Sequence, residues 1–256
     1  MKKNLKGSRV VLTRPDNSNL KKMLEVEGVE VLNMPLTQIV ASNPDNADIL
    51  KDIASYQWLC FPSSNAVEGF FNEFFRKYDD IRSIGAMKIA CVGQSTARTL
   101  SQKFHLAADV IPQEQNALAM VEAMKENESL EHLKILVACG NLSRSELQEE
   151  LVKAEAIVDK FEVYQTQATP DSTIDSAISD FVKKGANVLV FTSPSGVDAF
   201  FSDIKKFIIN KDAPKPKTVA IGSTTASQMR FYSMPVDVIA NSPSDEGLAE
   251  AIYSLL

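Results

Sequence analysis

The chain has 256 residues, 45% of them hydrophobic and 23% charged, with a net charge of −6, two histidines and three cysteines. That length suits two domains of about 100–150 residues, and a negative charge with no basic stripe argues against nucleic-acid binding. No apolar run approaches the ~20 residues that span a bilayer, and the start, apolar only at Val10-Val11-Leu12, does not read as a secretory signal, so a cytoplasmic protein off the membrane is expected.

The first element in chain order is a strand over Val10–Thr13, followed by Leu20, Met23 and Leu24 on one helical face, then a strand over Val29–Leu32. Met34–Asn46 (MPLTQIVASNPDN) reads as a connector because it carries proline among small polar residues. Strands follow at Trp58–Phe61, Ile89–Val92 and Val110–Ile111, with Leu118 and Val121 marking a helix face after them. Next come a strand over Ile135–Ala138, a helix carrying Leu147 and Leu151, and a strand over Ile157–Phe161. A second connector, Glu162–Asp171 (EVYQTQATPD), leads to strands at Val188–Phe191, Val219–Ile221 and Val238–Ile239, and Leu248, Ile252 and Leu255 close the chain on one helix face. Several strands are solidly apolar, as strands buried on both faces of a parallel sheet are. Strands alternating with helices mean an α/β doubly wound fold, and ten strands shared by two lobes give the flavodoxin-like count. Trp58 and the pairs Phe70-Phe71, Phe74-Phe75 and Phe200-Phe201 fall at core spacing.

The chain also repeats itself. WLCFPSSNAVEGFF (58–71) is echoed by VLVFTSPSGVDAFF (188–201), with Phe61 and Phe191 offset by 130. CVGQSTA (91–97) is echoed by AIGSTTA (220–226), offset by 129, and DVIP (109–112) by DVIA (237–240), offset by 128. Leu118-Ala119 matches Leu248-Ala249 at 130. So long a period means two similar domains rather than a solenoid of ~20–50-residue repeats, and two lobes commonly share one ligand site. The repeat alone would cut the chain near residue 130 and leaves open whether the lobes are sequential or interleaved.

Cys60, Cys91 and Cys139 lie in apolar strands without a CxxC partner, so buried free thiols are expected. His105 and His132 stand apart with no ligands at zinc spacing, which also speaks against a serine–histidine hydrolase. Ligands of open α/β sheets bind beyond the carboxyl ends of the strands. Here those ends share a composition: Pro62-Ser63-Ser64-Asn65, Gly93-Gln94-Ser95-Thr96, Thr192-Ser193-Pro194-Ser195-Gly196 and Gly222-Ser223-Thr224-Thr225. Each opens a helix, where Ser and Thr can act as caps and free N–H groups can bind anions. Neither GxGxxG nor GxxxxGK[ST] occurs, so the expected ligand is an anion other than a P-loop nucleotide. Arg14 follows the first strand, and Arg144 is taken as the matching cation of the second repeat; the arginine fork suits carboxylates.

VVLTRP (10–15), FPSSNAV (61–67), VGQSTA (92–97), Arg144-x-x-Leu147, VYQT (163–166), FTSPSGV (191–197) and AIGSTTA (220–226) together resemble uroporphyrinogen-III synthases. The match runs through almost the whole chain. One departure is Cys139-Gly140, where many members look like Arg-Gly. The resemblance implies a lyase that closes hydroxymethylbilane, a linear tetrapyrrole polycarboxylate, with loss of water and inversion of ring D to give uroporphyrinogen III, in tetrapyrrole (heme) biosynthesis. It implies two flavodoxin-like lobes interleaved in sequence, 1–36 with 167–256 and 37–166, joined by a two-stranded hinge at connectors near 34–40 and 162–168. It implies no cofactor and no metal, a monomer, and transient handover of substrate from hydroxymethylbilane synthase. Tyr164, in VYQT, is the implied general acid. Arg14, Ser63, Ser64, Asn65, Thr96, Arg144, Ser193, Ser195, Gly196, Thr224 and Thr225 are the implied substrate contacts. The competing readings are a non-catalytic two-lobed cytosolic binder of a polyanion and a glycosyltransferase, for which the chain is short.

Overall fold

A computed structural model describes residues 5–42 and 47–256; the first four residues of the basic start and the last four of the first connector (43–46) lie outside them. The chain runs β1 (Arg9–Leu12), α1 (Ser18–Val26), β2 (Glu30–Asn33), β3 (Thr37–Ala41), β4 (Trp58–Phe61), α2 (Ser64–Lys77), β5 (Lys88–Cys91), α3 (Gln94–Phe104), α4 (Ala117–Lys125) and β6 (Lys134–Gly140). It continues through α5 (Glu146–Lys153), β7 (Ile157–Ala168), α6 (Asp171–Lys184), β8 (Val188–Phe191), α7 (Pro194–Ser202), β9 (Lys217–Ala220), α8 (Ser223–Phe231), β10 (Val238–Ile239) and α9 (Asp245–Leu255). Two compact units result: Met1–Gln38 with Gln167–Leu256, here the first unit, and Ile39–Thr166, the second.

The first unit's sheet has the order β10-β9-β8-β1-β2, all its pairs parallel. Alternate residues of its strands enter two separate cores. Val11, Leu189, Phe191 and Ala220 pack with Ile178, Phe181, Phe200 and Met229 on one face. Val10, Leu12, Val188 and Val190 pack with Leu20, Leu24, Leu248 and Ile252 on the other. That is why the strands read as unbroken apolar runs. The second unit's sheet has the order β3-β7-β6-β4-β5. Phe61, Leu136 and Phe161 meet the α2 phenylalanines on one face; Trp58, Cys60, Val137 and Cys139 meet Met120, Met124, Leu147 and Leu151 on the other. Phe70, Phe71 and Phe74 have no exposed surface, and truncating any one to alanine costs about 3–5 kcal/mol. Phe75, expected in the core, is 43% exposed at the rim of the same aromatic cluster.

The repeat extends to polar devices, the first of which carries no shared letter and the second a shared aspartate. Gln57 and Asn187 stand at equivalent places, and their side-chain oxygens accept the backbone N–H groups of Lys134 and Arg9, each at 2.8 Å. The carboxylates of Asp109 and Asp237 accept the N–H groups of Ile89 and Thr218, each at 2.7 Å. Each device ties a strand end to its neighbour, and at Arg9, Ile89 and Thr218 it satisfies a part-buried donor.

Three expectations are corrected. The connectors, read from composition as linkers although the resemblance implies a two-stranded hinge there, carry strands: β3 lies in the first, and β7 runs on to Ala168 through the second. Their exposed and polar positions hid the alternation of an edge ladder, where β-branched and aromatic residues suffice. Val110 makes only an isolated parallel bridge to Ala90. Leu118 is 55% exposed. The caps Asn116 and Ser244 align Met120, not Leu118, with the buried Leu248. Among the described residues no helix is long and apolar enough to cross a membrane.

Candidate functional site

In the second unit, β4 ends at Phe61 and turns through Pro62 into Ser63, whose extended backbone and hydroxyl cap α2 by accepting the Ala66 N–H at 3.2 Å. Ser64 is the first helical residue, half-buried, and Asn65 is exposed. The Tyr164 hydroxyl lies 3.4 Å from the Ser63 hydroxyl. Tyr164 is placed by an irregularity between β6 and β7: the register shifts at Cys139/Gly140, so that Gly140 faces Tyr164. A Cβ on Gly140 would stand 2.4 Å from two ring carbons of Tyr164, so only glycine admits the ring there. The following turn is bound to β7 as well. The Asn141 N–H donates to the Tyr164 carbonyl at 3.2 Å, and the Asn141 side-chain oxygen accepts the Thr166 N–H at 2.9 Å. Behind the turn, the Gly140 N–H donates to the Ser143 hydroxyl at 2.9 Å.

These elements enclose a cavity of about 300 Å³, at the small end of the range of ligand sites. Its apolar wall is Val137, Cys139, Met120, Leu147 and Ala117. Its polar lining comes from Ser63, Tyr164, Ser143, Arg144, Lys160 and Gln115. Tyr164 also borders a second cavity, of about 280 Å³, lined by Asn65, Glu68, Gly69 and Asn72. Arg144 is exposed, with Glu146 3.4 Å away. The Cys139 thiol is pushed up by burial, against which the Lys160 charge works. Burial also raises Cys91, to about 12, and Cys60 further, so none of the three is poised as a thiolate. Thr96 sits in the first turn of α3 with 2% of its surface exposed.

The first unit repeats the caps. Ser193 accepts the Gly196 N–H at 3.1 Å and lies 3.1 Å from the Ser195 hydroxyl. Gly196 is buried; Thr224 is exposed and Thr225 buried in the first turn of α8. Arg14 is not open to a ligand: its guanidinium pairs with Asp245 of α9, and its Nε donates to Asn17 at 3.1 Å. The ladders also revise its repeat partner. Val10 stands beside Val188 and Ile135 beside Trp58, positions the repeat equates, so Arg14 corresponds to Cys139 and not to Arg144. The structure therefore gathers Ser63, Arg144 and Tyr164 at one cavity, and holds Arg14 and the Ser193 turn in the other unit. Sequence reasoning missed Lys160, Gln115 and Ser143, which lie in no motif, and Asp245, 231 positions from the arginine it binds.

The sequence profile described as Uroporphyrinogen-III synthase HemD matches residues 18–250. A putative uroporphyrinogen-III synthase of Methanocaldococcus jannaschii is 27% identical over 96% of this chain and 98% of its own length. The porphyrin biosynthesis protein HemD of Ruminiclostridium josui is 26% identical over 96% of this chain, which spans about half (48%) of that longer protein. Among solved structures, the uroporphyrinogen-III synthetase of Helicobacter pylori aligns with a TM-score of 0.66 at 19% identity, covering 97% of this chain and 99% of its own. A mutant uroporphyrinogen III synthase of Thermus thermophilus aligns at 0.63 and 14%, covering 97% and 98%. These structures share with it an α/β fold whose two sheets are dominated by parallel pairs.

Proposed function

This chain belongs to the uroporphyrinogen-III synthase family, and from that premise we propose that it closes hydroxymethylbilane, with loss of water and inversion of ring D, to uroporphyrinogen III. The observation that carries the reading beyond family membership is the second unit's cavity, where a tyrosine hydroxyl, a capping serine and two cations line an apolar wall. An apolar wall suits a pyrrole ring, and cations with helix-end donors suit its carboxylates. Such local donors matter because the net charge of −6 gives a polyanion no help from the overall field.

The chemistry asks for little acid–base machinery. The substrate's hydroxyl leaves from a pyrrole-activated carbon as the ring nitrogen supplies the electron pair, giving an azafulvene electrophile and, with one proton, water. The substituted carbon of ring D bonds to this electrophile. The resulting spiro intermediate fragments and recloses with ring D inverted. Tyr164 is the group we assign to protonate the departing hydroxyl, its own hydroxyl held 3.4 Å from that of Ser63. Orientation does the rest, because the linear bilane closes unaided to the unrearranged isomer. Ser63, Ser64, Asn65, Thr96 and Arg144 would meet carboxylates or ring nitrogens from the second unit. Ser193, Ser195, Gly196, Thr224 and Thr225 would do so from the first, and Arg14 by exchanging Asp245 for a substrate carboxylate.

The same reading takes the units as flavodoxin-like lobes. It is supported by the order β2-β1-β8-β9-β10 in the first unit and by its echo, β7-β6-β4-β5 with Val110 at the outer edge, in the second. A cytoplasmic monomer receiving substrate from hydroxymethylbilane synthase completes the proposal. The deciding experiment supplies fresh hydroxymethylbilane with and without the protein, oxidises the products and separates type I from type III uroporphyrin. A switch to type III is expected. Type I alone from folded protein would refute the synthase reading in favour of a binding protein.

A further inference from the structure

The two units differ sharply at one repeated position. By ladder register Arg14 of the first unit corresponds to Cys139 of the second. By helix caps, Asp245 after Ser244 corresponds to Ala117 after Asn116. The first unit thus spans the end of its sheet with its own guanidinium–carboxylate pair, Arg14 to Asp245, both members largely buried. The second unit has a thiol and a methyl group at the same two places, and both line the cavity of about 300 Å³. Where one unit satisfies a carboxylate internally, the other leaves an open, uncharged floor.

Lys160 stands beside that floor. It lies opposite Val137 in the β6–β7 ladder, so its side chain rises from the same sheet face as Val137 and Cys139, the face that Leu147 of α5 packs against. It lines the cavity with Arg144, while the only acid on the lining among the described residues, Glu146, stands 3.4 Å from Arg144. The lining therefore carries two positive charges and one negative. The ammonium is near enough to Cys139 to oppose the effect of burial on its thiol.

We propose that Lys160 is a substrate-binding residue, receiving a carboxylate of the bilane whose pyrrole ring lies on the Cys139–Ala117 floor; this rests on the synthase reading above. The lysine takes the part of cation at this site, while Cys139 and Ala117 supply the room that Arg14 and Asp245 fill in the other unit.

The test is steady-state kinetics on hydroxymethylbilane for the wild type, Lys160→Met, Lys160→Gln and Lys160→Arg, with thermal midpoints for each. A lost charge-assisted hydrogen bond should raise KM about ten-fold in the Met and Gln variants, with kcat within about two-fold. Arg should restore KM to within about three-fold of wild type, and added salt should raise the wild-type KM more than that of either neutral variant. If Lys160→Met does not fold, the Gln–Arg comparison decides the same question. An unchanged KM in the neutral variants, or an equal loss in Lys160→Arg, would overturn the assignment while wild-type formation of type III product keeps the synthase reading intact. A wild type that yields no type III product would remove the premise itself.

Discussion

Replacing Gly140 with alanine probes how the site is assembled. The new methyl would lie 2.4 Å from Cε2 and Cζ of Tyr164 and 2.9 Å from its hydroxyl oxygen. Carbon atoms settle at about 3.5–4.0 Å, so the ring must retreat by about 1 Å or more. Gly140 is not among the positive-φ glycines, and alanine in a strand is otherwise favoured over glycine by about 0.5–1 kcal/mol. The clash therefore has to outweigh a small intrinsic gain, and overpacking of this kind costs about 1–3 kcal/mol. At about 2–4 °C per kcal/mol for a chain of this size, the thermal midpoint should fall by several degrees, measured by circular dichroism. The displaced ring also leaves Ser63, so turnover of hydroxymethylbilane to the type III isomer should fall. In a Tyr164→Ala background the same glycine substitution should be nearly neutral, giving a coupling of about 1–3 kcal/mol in a double-mutant cycle. An unchanged or raised midpoint for Gly140→Ala, or additive losses in the cycle, would refute the close approach of ring and backbone.

Tyr164→Phe keeps the ring and removes the hydroxyl; turnover should fall about 100-fold or more, the range of general-acid catalysis, with KM nearly unchanged, and undiminished turnover would take Tyr164 out of the mechanism. Asp245→Asn and Arg14→Ala should each lower the midpoint, but their losses should overlap by about 1 kcal/mol or more because they remove one charge-assisted bond; strict additivity would deny the pair. Glu128 accepts from the Lys88 ammonium at 2.8 Å and the Trp58 indole N–H at 2.9 Å, and the Lys88 bond, foremost, holds its carboxyl below the usual range. A depressed carboxylate stabilises the fold above its unfolded pKa of about 4.3 and loses that effect as pH falls through the folded value. The stability gap between wild type and Glu128→Gln should therefore be present at neutral pH and close below about pH 4, as read from denaturant titrations across pH; a gap that persists in acid would refute the assignment.

Much of the fold was legible because burial writes itself into sequence. Strands covered on both faces must be apolar throughout, so Trp58–Phe61 and Val188–Phe191 announce themselves. The caps Ser63 and Ser193 announce themselves too, because a helix start needs an oxygen beside its free N–H groups. The edge strand β3 and the end of β7 did not, since half-exposed ladders tolerate polar residues and proline nearby. The site divided in the same way. Ser63, Arg144 and Tyr164 lie in motifs, whereas Lys160 and Ser143 enter the cavity only through strand register and a turn.

What the sequence determined by itself is what depends on local chemistry and on matching: helix starts, buried strands, a duplicated α/β unit and the family it resembles. What the tertiary structure decided is which distant groups meet. Asp245 closes on Arg14 across 231 positions, and a one-residue shift in register at Gly140 brings Tyr164 to Ser63. The physical reason is that such a contact is specified by neither residue alone. It follows from how strands align when every ladder and both faces of a sheet are satisfied together, and that alignment is a property of the whole packed unit.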